Sequence, residues 1–215
     1  MQKIIDSILK EKIIVIVRGI SKDKLLEFAE AVYNGGIRVL ECTFDAKGET
    51  TDEETAEKIK LLSGHFGDRM LIGAGTVLNE KQVELTKNAG GKFIISPDTN
   101  PSIIKKTKSE GLISIPGALT PSEAVVAHNS GADFVKIFPV ADFGAKYIKN
   151  ITAPLSHIRF LAVGGVTAEN IKEFLNAGAL GVGIGSDIAN KKLIEANDFK
   201  KIELSAKRYV DVVNG

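Results

Sequence analysis

Two hydrophobic rhythms alternate along the chain. Short, almost continuously apolar runs rich in Val and Ile occupy residues 13–17, 37–41, 70–73, 92–96, 112–115, 134–138, 158–163 and 180–184. Apolarity without polar alternation over so few residues predicts parallel strands buried on both faces. The stretches between them carry apolar residues at helical spacing and predict helices over 22–34, 52–65, 80–89, 101–109, 121–129, 146–151 and 168–177. A short leading helix is predicted at 4–9 and a terminal helix at 199–213, both closing off the ends of the fold.

The punctuation agrees with this division. Ser21, Asn79, Asn100, Thr120 and Thr167 stand where helix N-caps belong, and Pro101 and Pro121 fill first-turn positions whose N–H has no helical partner anyway. Gly35, Gly90, Gly111, Gly131 and Gly178 follow helices, where a left-handed C-cap is expected. A strand, helix and glycine cycle repeated eight times predicts an α/β protein with a closed (β/α)8 barrel, one domain over residues 1–215. An open dinucleotide-binding sheet would need Gly-x-Gly-x-x-Gly after the first strand, and the chain reads Val17-Arg18-Gly19-Ile20 there.

Composition narrows the partners. Lys and Arg number 28 against 27 Asp and Glu, so no global field selects nucleic acid or an acidic membrane, and affinity for anions must be local. Cys42 is the only cysteine, which rules out an internal disulfide and a cysteine-held metal, and His65, His128 and His157 have no metal-ligand spacing. No metal or cofactor is expected. The N-terminus lacks the apolar core of a signal peptide, so the expected location is cytoplasmic.

Barrel chemistry is built from the C-terminal ends of several strands, which makes Arg18, Glu41, Thr43, Thr76, Ser96, Lys136 and Gly164-Gly165 the candidates. Lys136 is flanked by apolar residues in Phe134-Val135-Lys136-Ile137-Phe138. A buried ammonium either pairs with an acid or loses its proton, and a neutral amine is what attacks a ketone. Glu41 ends the second strand and can face Lys136 across the barrel, as a proton shuttle or simply as its counter-charge. Arg18 can steer Glu41 or meet an anionic substrate. Gly164-Gly165 and Gly183-Ile184-Gly185-Ser186 follow the seventh and eighth strands, where backbone N–H groups bind phosphate in many barrels. The remaining histidines, Asp98, Asp133, Asp142 and the lysine pairs read as caps, turns or solvated surface, and Cys42 as buried filler.

With these residues in view the chain resembles a known family, the bacterial 2-keto-3-deoxy-6-phosphogluconate and 4-hydroxy-2-oxoglutarate aldolases. The likeness runs through Ile16-Val17-Arg18-Gly19, Glu41-Cys42-Thr43-Phe44, Gly73-Ala74-Gly75-Thr76-Val77-Leu78, Ser96-Pro97, Pro116-Gly117-Ala118-Leu119-Thr120-Pro121, Val135-Lys136-Ile137-Phe138-Pro139 and Gly164-Gly165-Val166. It implies a small TIM barrel and a class I aldolase. Lys136 would be the Schiff-base lysine and Glu41 the general acid/base. Thr76 would help hold the pyruvate carboxylate, and Gly164, Gly165, Gly185 and Ser186 the phosphate. It also implies a homotrimer and a reaction giving pyruvate and glyceraldehyde 3-phosphate.

Two departures bear on the substrate. Asp45 stands where many members carry an arginine, and Val163 replaces the threonine of Pro-Thr-Gly-Gly. A carboxylate facing an anionic substrate costs about 1 kcal/mol or more. Cleavage of 4-hydroxy-2-oxoglutarate to pyruvate and glyoxylate is therefore an alternative. More remote alternatives are a phosphosugar isomerase or epimerase and a non-catalytic binding barrel.

Overall fold

A computed structural model describes residues 1–215. The strands are β1 (Ile13–Val17), β2 (Val39–Thr43), β3 (Leu71–Gly75), β4 (Phe93–Ile95), β5 (Ile113–Ile115), β6 (Gly117–Ala118), β7 (Val135–Ile137), β8 (Phe160–Val163) and β9 (Val182–Ile184). They form one parallel sheet in the order β5-β4-β3-β2-β1-β9-β8-β7-β6. Because β5 and β6 follow one another directly in the chain, the two edges of this order belong to one interrupted strand, and the sheet closes on itself. Pro116 makes the interruption, since it has no N–H to give the ladder, while its carbonyl still accepts from Lys136 N at 2.9 Å. The count of eight strands predicted from apolar runs therefore holds, with the fifth strand in two pieces.

The helices are α1 (Gln2–Glu11), α2 (Lys22–Asn34), α3 (Asp52–Phe66), α4 (Glu80–Asn88), α5 (Pro101–Ser109), α6 (Pro121–Asn129), α7 (Gly144–Thr152), α8 (Ile171–Asn176), α9 (Lys191–Glu195) and α10 (Phe199–Asn214). Asn79, Asn100 and Thr120 cap α4, α5 and α6 through their side chains as expected. Ser21 makes no such bond to α2. Thr167 does not begin a helix either: its N–H is taken by Asn170 Oδ1, and α8 starts only at Ile171. Gly35 ends α2 in right-handed geometry, and Gly36 (φ 100) makes the left-handed turn. Gly35 has another reason to lack a side chain, because a Cβ there would lie 2.5 Å from Ala206 Cβ of α10. Helix α9 has no counterpart in the apolar spacing. Five residues carry too little periodicity, and Asn190 caps it from outside.

Alternate residues of the strands fall into two apolar clusters. Ile13, Leu40, Ile94, Val135, Phe160 and Ala162 pack outward against the helices. Ile14, Val39, Phe93, Ile95, Phe134 and Leu161 pack inside the barrel, over Ile5 and Ile8 of α1, which plug its floor. The interior is thus solid below, and a ligand can enter only at the C-terminal mouth.

Candidate active site

Glu41 and Lys136 occupy the first polar layer above that floor. Each lies two residues beyond an interior hydrophobe, Val39 on β2 and Phe134 just before β7, so each points inward. Both are buried, at 3% and 7% exposure. Lys136 nevertheless makes no ion pair within 4.0 Å, so it is no salt-bridge partner of Glu41. Burial lowers the Lys136 pKa, opposed by the charge of Glu41, with Arg18 lowering it further and Asp98 raising it. Burial pushes Glu41 up to about 6, against the pull of Lys136 and Arg18. A readily neutral amine beside a readily protonated carboxyl can exchange protons near neutral pH. The ring of Phe138, 5.0 Å from Lys136 Nζ, roofs the amine.

The mouth is completed from β1 and β3. Arg18 Nη2 donates to Thr76 Oγ1 at 3.0 Å, joining residues that follow the two strands. Thr76 holds φ 54, a left-handed backbone costing a β-branched residue roughly 1–2 kcal/mol. Such strain persists only where surrounding structure fixes it, often at a functional site. Thr43 is different: its hydroxyl is consumed by Val17 O at 3.1 Å, so it ties β2 to β1.

Arg18 also lines a cleft of about 550 Å³ with Asp45, Lys47, Thr50 and Lys58. Asp45 turns its carboxylate into its own loop, accepting from the N–H groups of Lys47 (2.9 Å), Glu49 (2.8 Å) and Thr50 (3.0 Å). Those bonds, Lys47 first, hold it below the usual carboxylate range. The reversed charge thus organises the polar loop that precedes α3, and Lys47 and Lys58 bring positive charge to the same cleft.

Across the mouth, Gly164-Gly165 follow β8 and Gly185-Ser186 follow β9, on neighbouring strands. Their four backbone N–H groups donate to no acceptor within the protein. Gly165 has φ 77, and a Cβ there would sit 2.3 Å from Ala141 Cβ, whereas a Cβ on Gly185 would meet nothing within 4 Å. Val163, just before the first pair, is buried and packs over Gly183. Elsewhere, Cys42 faces outward into the core with its thiol pushed up to about 12 by burial. The rings of His128 and His157 meet at 5.0 Å, although no three-residue metal group exists.

Residues 4–205 match the profile of the family described as KDPG and KHG aldolase. The chain belongs to this aldolase family. It is 37% identical over 180 residues to the 2-dehydro-3-deoxy-6-phosphogalactonate aldolase of Escherichia coli, covering 83% of this chain and 85% of that protein. It is 31% identical over 213 residues to the 2-dehydro-3-deoxy-phosphogluconate aldolase of Haemophilus influenzae, covering 99% and 97%. The structure of the KDPG aldolase of Legionella pneumophila, with pyruvate captured at low pH as a covalent carbinolamine intermediate, superimposes with a TM-score of 0.85 at 28% identity, covering 94% and 96%.

Within this aldolase barrel, sequence reasoning missed three contributors. Phe138 shares the inward parity of Lys136, a signal the sequence did contain. Asp98, read as a turn acid, lies near enough to act on Lys136. Gly75 has no sequence signal beyond its place in Gly-Ala-Gly-Thr, because its role depends on the side chain of another strand.

Proposed function

We propose that this chain cleaves a 2-keto-3-deoxy-6-phospho sugar acid to pyruvate and glyceraldehyde 3-phosphate through a Schiff base on Lys136. The observation that carries the reading is Lys136 itself, buried, unpaired and with a lowered pKa, facing a carboxyl whose pKa is raised. The neutral amine adds to the C2 carbonyl, whose oxygen takes a proton from Glu41. Loss of water gives the iminium. Glu41, now a carboxylate, takes the C4 hydroxyl proton, the C3–C4 bond breaks, and its electrons collapse into the iminium as an enamine while the aldehyde leaves. Protonation at C3 and hydrolysis release pyruvate and the free amine. The route needs no metal or cofactor.

Arg18 and Thr76 are suited to the substrate carboxylate, as a guanidinium and a hydroxyl already joined at the mouth. The free N–H groups of Gly164, Gly165, Gly185 and Ser186 are suited to the phosphate at the far end. Gluconate- and galactonate-derived substrates, named for the two relatives above, differ in configuration at C4 and break at the same bond to the same products. A homotrimer remains the proposed assembly, on the family likeness, and the cytoplasm the proposed setting, on the single cysteine and the N-terminal sequence. No helix is long and apolar enough to cross a membrane.

Borohydride reduction in the presence of pyruvate tests the reading. A reduced pyruvyl adduct on the Lys136 peptide, seen by mass spectrometry, is the expected result. A protein left unmodified at saturating pyruvate would instead favour an isomerase or a binding barrel.

A further inference from the structure

The terminal helix α10 is the one element bonded to the loops that follow both β8 and β9. Tyr209 is fully buried, and its hydroxyl donates to Asp187 Oδ2 at 2.5 Å. Asp187 adjoins Ser186 in the turn after β9, where Gly185 O accepts from the N–H groups of Ile188 and Ala189. Ser205, one turn earlier on α10, donates to Asp187 O at a longer 3.5 Å. From the other loop, the Ala168 amide lies close enough to act on the same Tyr209 oxygen, and Glu169 pairs with Arg208.

These contacts are unequal. The Arg208–Glu169 pair has both side chains more than half exposed, and such pairs contribute little. The Tyr209–Asp187 bond joins a buried hydroxyl to a carboxylate, and burial without that partner would leave the hydroxyl unsatisfied. Its position is informative. A hydroxyl that only seated α10 could bond any nearby carbonyl, whereas this one holds the residue next to the free N–H of Ser186, while the adjoining Arg208 pairs with Glu169 of the loop after Gly164-Gly165.

We infer that Tyr209 is a positioning residue for phosphate, clasping the loops after β8 and β9 so that their free N–H groups converge on one anion. This rests on the reading of Gly164, Gly165, Gly185 and Ser186 as the phosphate site. Tyr209 touches no substrate atom. Its effect passes through Asp187 and Ala168.

The test uses Tyr209→Phe, which keeps the buried ring, and Asp187→Ala, which alters a surface side chain should the first variant fold poorly. Cleavage of the phosphorylated keto acid is compared with that of its unphosphorylated counterpart, and inorganic phosphate is titrated as a competitive inhibitor. In each variant, kcat/KM for the phosphorylated acid falls about tenfold more than for the unphosphorylated one, through KM, and phosphate inhibits about tenfold more weakly. Asp187→Asn, which keeps an acceptor for the hydroxyl, recovers most of the loss. An equal fall for both substrates would reduce Tyr209 to a packing role and overturn the inference while leaving the phosphate site intact. A wild-type enzyme indifferent to both substrate phosphorylation and inorganic phosphate would overturn the phosphate site itself.

Discussion

The Glu41 carboxylate fills the space that a side chain on Gly75 would occupy: a Cβ built on Gly75 would stand 1.4 Å from Glu41 Oε1 and 2.2 Å from Glu41 Cδ. Strand β3 thus lacks a side chain opposite the end of β2 so that a carboxylate can lie across the barrel mouth toward Lys136.

Gly75→Ala should therefore displace Glu41 without unfolding the barrel, since the clash is with a flexible side chain. The expected loss in kcat is at least about 100-fold, comparable to removing a general acid/base. Steady-state kinetics beside a thermal melt checks this. Near-normal turnover in a folded Gly75→Ala protein would take Glu41 out of the proton path.

Glu41 links activity and stability to pH in the same sense. The free enzyme must hold its proton to give to the C2 oxygen, so kcat/KM should fall as pH rises through about 6, and a limb at the ordinary glutamate value near 4.5 would contradict its raised pKa. The folded pKa exceeds the unfolded one, so Glu41 favours the fold only while protonated. That advantage is complete below about 4.5 and disappears as pH rises through 6. Glu41→Gln should consequently match wild-type stability at pH 4 and exceed it by about 2 kcal/mol at pH 8, while losing activity. Chemical denaturation at the two pH values reads the difference.

The glycines of the proposed phosphate site should separate into two kinds. Gly165→Ala meets Ala141 and a left-handed backbone, and should cost roughly 1–3 kcal/mol of stability. Gly185→Ala fits without contact and should leave stability within about 0.5 kcal/mol, yet raise KM for the phosphorylated substrate by obstructing the approach to the N–H groups. Melting curves and KM values for the pair distinguish a backbone requirement from a ligand requirement. Unchanged KM in Gly185→Ala would remove Gly185 from the site.

Much of the molecule was legible because local rules dominate there. A run such as Ile13–Val17 declares a buried parallel strand by continuous apolarity, and Asn79, Asn100 and Thr120 declare helix starts through bonds only two or three residues long. Elements lacking such local signals were misplaced. α9 is too short to be periodic, and the expected start of α8 at Thr167 was displaced by the Asn170 side chain.

The sequence by itself determined the barrel class, the inward parity of Glu41 and Lys136 at strand ends, and the glycine pairs after β8 and β9, because alternation along a strand and turn chemistry are properties of neighbouring residues. Only the tertiary structure decided that Lys136 is unpaired, that Asp45 spends its charge on three N–H groups of its own loop, that Gly75 makes room for Glu41, and that Tyr209 reaches Asp187. Those relationships depend on distances between strands, loops and a helix far apart in the chain, set by closure of the barrel and packing of α10 against it, and one-dimensional spacing contains no such distances.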